Sequence, residues 1–112
     1  EKFRAGSLLD KGPLDLRQRE IVIDRICARC GCAYEWGVHV AFFAKRVALS
    51  EAQIQALATD SAEAPVWSEA ERLLIRAVDA LHDTIDIPDA LWRALAAAFS
   101  REQILEVIAL CG

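Results

Sequence analysis

Apolar positions along this chain recur at steps of three and four instead of alternating with polar ones, which is the spacing of helices with one face turned inward and not of half-buried strands. Ser followed three residues later by Gln or Glu marks a helix start, because the two side chains satisfy amide donors that the first turn leaves open. The pattern stands at Ser50 with Gln53, Ser68 with Glu71 and Ser100 with Gln103, each ahead of apolar residues at helical spacing, and Asp15 with Gln18 is a looser version. Pro88 suits the first turn of a further helix that opens DALWRAL. Six helices are predicted, over about 15–30, 33–47, 50–59, 68–83, 88–98 and 100–111. The longest link, 59–67, separates a front half from a back half without marking a second domain. Residues 1–14, with Gly6, Gly12 and Pro13, read as an N-terminal arm, and 15–112 as a single all-α domain, a compact bundle of about six helices.

Composition sharpens this picture in three ways. Apolar residues make up 54% of the 112, above the roughly 45–50% of an ordinary soluble domain, and the surplus points to subunit contacts. The net charge is −4 and the basic residues are spread along the helices, so no footprint for nucleic acid is present. Charges interrupt every apolar stretch before it reaches the roughly 18–20 residues that span a bilayer, so no membrane partner is expected. Of the four cysteines, Cys27, Cys30 and Cys32 crowd together and Cys111 stands alone, which is no disulfide framework and suits a reducing, cytoplasmic setting.

Candidate chemistry concentrates on the first two helices. Leu16, Glu20, Ile23, Cys27 and Cys30 follow one another at steps of four and three and form one stripe, with Glu20 among apolar neighbours. Against this stands the plainer reading of Glu20 as a first-turn acid that points to water. In the second helix the run AYEWGVHVAFFA contains only Glu35 and His39 as ionisable groups, and a helix apolar on nearly all sides is expected to be buried. Glu35 and His39 lie four apart, and Cys32 lies a turn before Glu35 on the same face. A buried carboxyl and imidazole need a joint explanation, either as a self-satisfied pair that fixes packing or as a functional pair. Cys32 follows Gly31 at the helix start, where amide donors favour the thiolate. Cys27 and Cys30 read as small core hydrophobes. The spacing Cys27-x2-Cys30-x-Cys32-x6-His39 fits no common zinc arrangement, so no metal is expected. His82 reads as a cation near a helix C-terminus, and Trp67 and Trp92 as packing.

The stretch RQREIVIDRICARCGCAYEWGVHVAFFAKRVALSEAQIQAL, residues 17–57, resembles the core of the carboxymuconolactone decarboxylase and alkyl-hydroperoxidase D superfamily, and WSEAERLLIRAVDALHD and the final helix are similar to it as well. In the hydroperoxidase branch a Glu on one helix precedes Cys-x-x-Cys-x-x-x-His at the start of the next, and the four form a peroxide-reducing relay. Matched by position, Glu20 takes the place of that Glu, Cys32 of the first Cys and His39 of the His, while Glu35 stands where the second Cys would be. Without that second thiol the usual dithiol cannot form, and the Tyr34-Glu35-Trp36 form is similar instead to the decarboxylase-like branch. The resemblance implies an all-helical fold assembled into trimers or hexamers with sites at subunit contacts, no cofactor and no metal, and a further segment beyond Cys111-Gly112.

These readings point first to a cofactor-free acid/base enzyme in which His39 and Glu35 move protons on a small carboxylated substrate, in a decarboxylation or isomerisation, while Glu20 orients or relays. The candidate catalytic set is therefore Glu20, Cys32, Glu35 and His39, with Arg25 and Arg29 as possible clamps for a substrate carboxylate. Two alternatives stay open. One is a thiol hydroperoxidase of peroxiredoxin type, with Cys32 partnered by Cys30 or Cys27. The other is a non-catalytic oligomeric helical protein whose polar cluster only specifies packing. In each case the second helix is too apolar for one small domain to cover, which predicts an obligate homo-oligomer.

Overall fold

Four of the helix starts close as reciprocal caps. In the computed structural model, which describes residues 14–112, Asp15 with Gln18, Ser50 with Gln53, Ser68 with Glu71 and Ser100 with Gln103 each form a capping box. The described residues form six helices and no strand: α1 (Leu16–Cys30), α2 (Ala33–Phe43), α3 (Glu51–Thr59), α4 (Glu69–Thr84), α5 (Asp89–Ala98) and α6 (Arg101–Cys111). Of the arm predicted over 1–14, all but Leu14 lies outside the described residues. Leu14 belongs to the core, and its amide donates to Oε1 of the buried Glu106 on α6 at 2.9 Å.

The long helices α1 and α4 pack on each other, and the remaining elements gather around that pair. On one side Val22 of α1 and Leu74 and Val78 of α4 meet Leu95, Phe99, Ile104 and Val107 from α5 and α6. On the other side Ile21 and Ile75 meet Ala56 and Leu57 of α3, Trp67, and the turn residues Ala44, Val47 and Leu49. Successive residues of α1, Ile21 and Val22, thus enter different halves of the core. That leaves a third stripe of the same helix, Glu20 and Asp24, for α2.

Three expectations are corrected by this packing. The second helix stops at Phe43, not near 47, because Ala44, Val47 and Leu49 turn inward and Ala48 takes a left-handed φ of 59°. The carbonyls freed there are held by Arg17, whose Nη1 donates to Val47 O at 2.8 Å and Ala48 O at 2.9 Å. Second, α2 has no buried residue within a single chain: Tyr34 is 83% and Phe42 71% exposed. Third, Trp67 is buried as expected, but Trp92 is exposed and lines an apolar groove of about 570 Å³ with Phe99, Ile104 and Leu105.

Arg25 and Arg29 serve the fold. The buried Arg25 guanidinium donates to both oxygens of Asp79 at 2.9 and 3.0 Å and to the carbonyls of Leu57 and Asp60 at 2.8 Å. It therefore ties α1, the end of α3 and α4 together, a geometry that the planar fork of Arg suits. Arg29 pairs with Asp79 and Asp83. The Arg25 guanidinium is therefore not left to clamp a substrate carboxylate. No helix among the described residues is long and apolar enough to cross a membrane.

Candidate functional site

Gly31 makes the site possible by reversing the chain between α1 and α2. It sits at φ 72°, a left-handed conformation that glycine adopts without steric cost. Its amide bonds to Ala28 O at 3.3 Å and that of Cys32 to Cys27 O at 2.9 Å, the two bonds of a Schellman closure. Helix α2 consequently folds back along α1. His39, about two turns into α2, meets Glu20 and Asp24, about one and two turns from the start of α1.

The His39 Nδ1 atom lies 3.1 Å from both Oε1 and Oε2 of Glu20. Glu20 is 2% exposed and His39 is part-buried, with its ring stacked on Phe43 at 5.3 Å between centroids. Arg46 lies over the other partner of that stack, 5.8 Å from the Phe43 centroid. Since a carboxylate only accepts, the contact is met by a proton on Nδ1, and the neutral imidazole then carries its free lone pair on Nε2.

The third member of the cluster is Asp24, one turn along α1 from Glu20 and fully buried. One donor atom from each of Glu20, Asp24 and His39 can be chosen so that all lie within 4.8 Å of one another. Such a spacing is also within reach of a divalent cation, but the Nδ1 to Glu20 contacts are at hydrogen-bond distance and both Glu20 oxygens are engaged. Burial pushes the Asp24 carboxyl up to about 9, and the hydrogen bond that its protonated form gives Glu20, with the Glu20 charge, pushes the same way against the opposing pull of His39. Glu20 is also raised, by burial first, with Asp24 and the Arg19 guanidinium acting in the other direction. Asp24 was not among the residues singled out from sequence. Its signal was there, since Glu20, Asp24 and Cys27 are four and three apart on one stripe.

The other members of the predicted set lie outside this contact. Glu35 is exposed in the first turn of α2 and makes no hydrogen bond among the described residues, so the expected Glu35–His39 pair is replaced by Glu20–His39. Cys32 is exposed at the N-cap of α2, beside a shallow cavity of about 210 Å³ lined also by Cys27, Trp36 and Ala58. Burial raises the Cys27 thiol to about 11, with the nearby Cys32, Glu35, Asp24 and Cys30 adding to the effect, which leaves it inert at neutral pH. Cys30 was expected in the core but is exposed, with Sγ 3.9 Å from Nδ1 of His82 in the last turn of α4.

Three comparisons bear on this arrangement. The model of the carboxymuconolactone decarboxylase family matches residues 1–80. A crystal structure of a protein of unknown function from Agrobacterium tumefaciens, for which an antioxidant-defence role of the AhpD type has been suggested, superposes with a TM-score of 0.83 at 29% identity, over 96% of this chain and 73% of that one. No curated protein matches the chain.

Proposed function

Because the chain belongs to the carboxymuconolactone decarboxylase family, we propose that it is a cofactor-free acid/base enzyme that acts on a small carboxylated substrate through His39. The observation that carries this reading is the Glu20–His39 contact, in which a buried carboxylate takes Nδ1–H of a part-buried imidazole and leaves the Nε2 lone pair as the proton acceptor. Glu20 orients the imidazole and stabilises the imidazolium once the proton has moved. Glu35, one turn before His39 on α2, offers a carboxylate in solvent for a second proton transfer. Isomerisation needs a base that takes a proton from carbon and an acid that returns it, whereas decarboxylation needs only an acid to protonate the carbanion left when CO2 departs.

A thiol hydroperoxidase is the second reading, favoured by the exposure of Cys32 at the start of α2 and by the antioxidant role suggested for the Agrobacterium protein. Position 35 speaks against it, since Glu stands where the resolving thiol of the usual dithiol would be. The two are separated by capping the exposed Cys30 and Cys32 with a small methylthiolating reagent. Turnover of a carboxylated lactone should survive the treatment, and its loss together with hydroperoxide reduction would favour the thiol.

The same reading includes self-association through α2. An eleven-residue helix with Tyr34 and Phe42 in solvent and no buried residue is an apolar surface of the sort that a second copy covers. Light scattering at micromolar protein is expected to give a trimer or hexamer. A well-folded monomer would remove the proposal and the idea of a site at subunit contacts.

A further inference from the structure

Glu20 and Asp24 are two carboxyls one helical turn apart, 2% and 0% exposed, with a single imidazole beside them. Counted as two carboxylates they have no hydrogen to share, and neither Asp24 oxygen meets a donor among the described residues. Two buried anions at this separation repel, and each unmet oxygen carries its full desolvation penalty. One proton removes both problems, because a carboxylic acid donates where a carboxylate can only accept.

Among the described residues few charged or titratable groups reach the pair. Arg19 acts on Glu20 from the same helix, and Cys27 lies one turn beyond Asp24. His39 approaches from α2. Arg25, next in sequence, is committed to Asp79 of α4 and to the end of α3, and Glu106 of α6 faces Arg19 and the amide of Leu14. Among the described residues no guanidinium is hydrogen-bonded to Asp24 to hold it as an anion.

We propose that Asp24 is a positioning residue for the His39 site: it remains a neutral acid, donates its proton to Glu20, and so keeps Glu20 as the one anion that holds His39 with Nδ1 protonated and Nε2 free. The inference rests on the reading of His39 as the group that moves the substrate's proton. The direction of the Asp24 shift agrees with it, since burial and the Glu20 charge both favour the neutral form.

Infrared spectra of the wild-type protein between pH 5 and 10 test this without a substrate. Ordinary surface carboxyls are ionised above about pH 6, so the protonated-carboxyl stretch that remains at pH 7 reports a buried acid. One such band is expected, fading with a midpoint near 9 and absent from Asp24→Asn. The Asn variant retains a donor for Glu20, so nitrogen NMR should show His39 still as the Nδ1–H form, whereas Asp24→Ala should show a mixture of tautomers. The proposal is overturned if wild-type protein has no protonated carboxyl between pH 6 and 8, if the band persists undiminished in Asp24→Asn, or if zinc or manganese binds stoichiometrically and Asp24→Asn abolishes the binding. A His39→Ala variant that turns over substrate normally would refute the acid/base reading while leaving these spectra unchanged, so the two failures are distinguishable.

Discussion

His39→Ala is expected to lower turnover of a small carboxylated substrate by about a hundredfold or more, the usual worth of a positioned proton donor or acceptor, while Cys32→Ser keeps most of the activity. The asymmetry follows from geometry. His39 is held through Nδ1 by a buried carboxylate, which leaves its other nitrogen to take a proton, whereas Cys32 sits at the helix start outside that contact. Glu20→Gln should lose activity with His39→Ala, because an amide places either a donor or a weaker acceptor against Nδ1 and no longer stabilises the imidazolium. Glu35→Cys is the complementary change. It restores Cys-x-x-Cys with Cys32 in the first turn of α2, four residues before His39, and should raise hydroperoxide reduction when a dithiol donor is supplied. A native protein that already reduces organic hydroperoxides efficiently, and loses this on Cys32→Ser, would refute the assignment.

Asp24→Asn is expected to stabilise the protein at neutral and alkaline pH. The Asp24 carboxyl titrates near 3.8 in an ordinary setting and near 9 in the fold, so between those values the folded chain holds a proton that the unfolded chain releases. The contribution of Asp24 to stability is therefore complete below about pH 4 and is lost progressively as pH rises toward 9. At about 1.4 kcal/mol per pH unit, less roughly 1 kcal/mol for an altered hydrogen bond, Asn should gain on the order of 2–4 kcal/mol near pH 7. For a domain of this size that is a rise in midpoint of at least about 5 °C, measured at one fixed protein concentration. The advantage should shrink to nothing at pH 4, and an Asn variant less stable than wild type at pH 8 would show that Asp24 is folded as an anion.

The residues that made the fold legible act within one turn of themselves. A Ser or Asp cap with Gln or Glu three residues on needs no tertiary partner, and the starts of α1, α3, α4 and α6 fell within one residue of the sequence reading. The family, too, was carried by a contiguous stretch, and the family model spans the same region. Within the site the sequence points to Glu20 and His39 but pairs His39 with Glu35, because spacing of four on one helix is visible in a sequence. The crossing of two helices is not. Asp24 is silent in the sequence for the same reason, since an acid on a stripe looks solvated until a second helix closes over it.

What the sequence determined by itself was thus local: six helices, their caps, the turn at Gly31, and the presence of one imidazole and few acids on otherwise apolar surfaces. What only the tertiary structure decided was which of those groups lose water and which meet. Contacts such as Glu20 with His39, 19 residues apart, and Arg25 with Asp79, 54 apart, exist only once α1 is packed against α2 and α4. Burial then sets their chemistry. It makes one of two carboxyls hold a proton and commits Arg25 to the fold, while among the described residues no element buries the outer face of α2, where Tyr34 and Phe42 stay exposed.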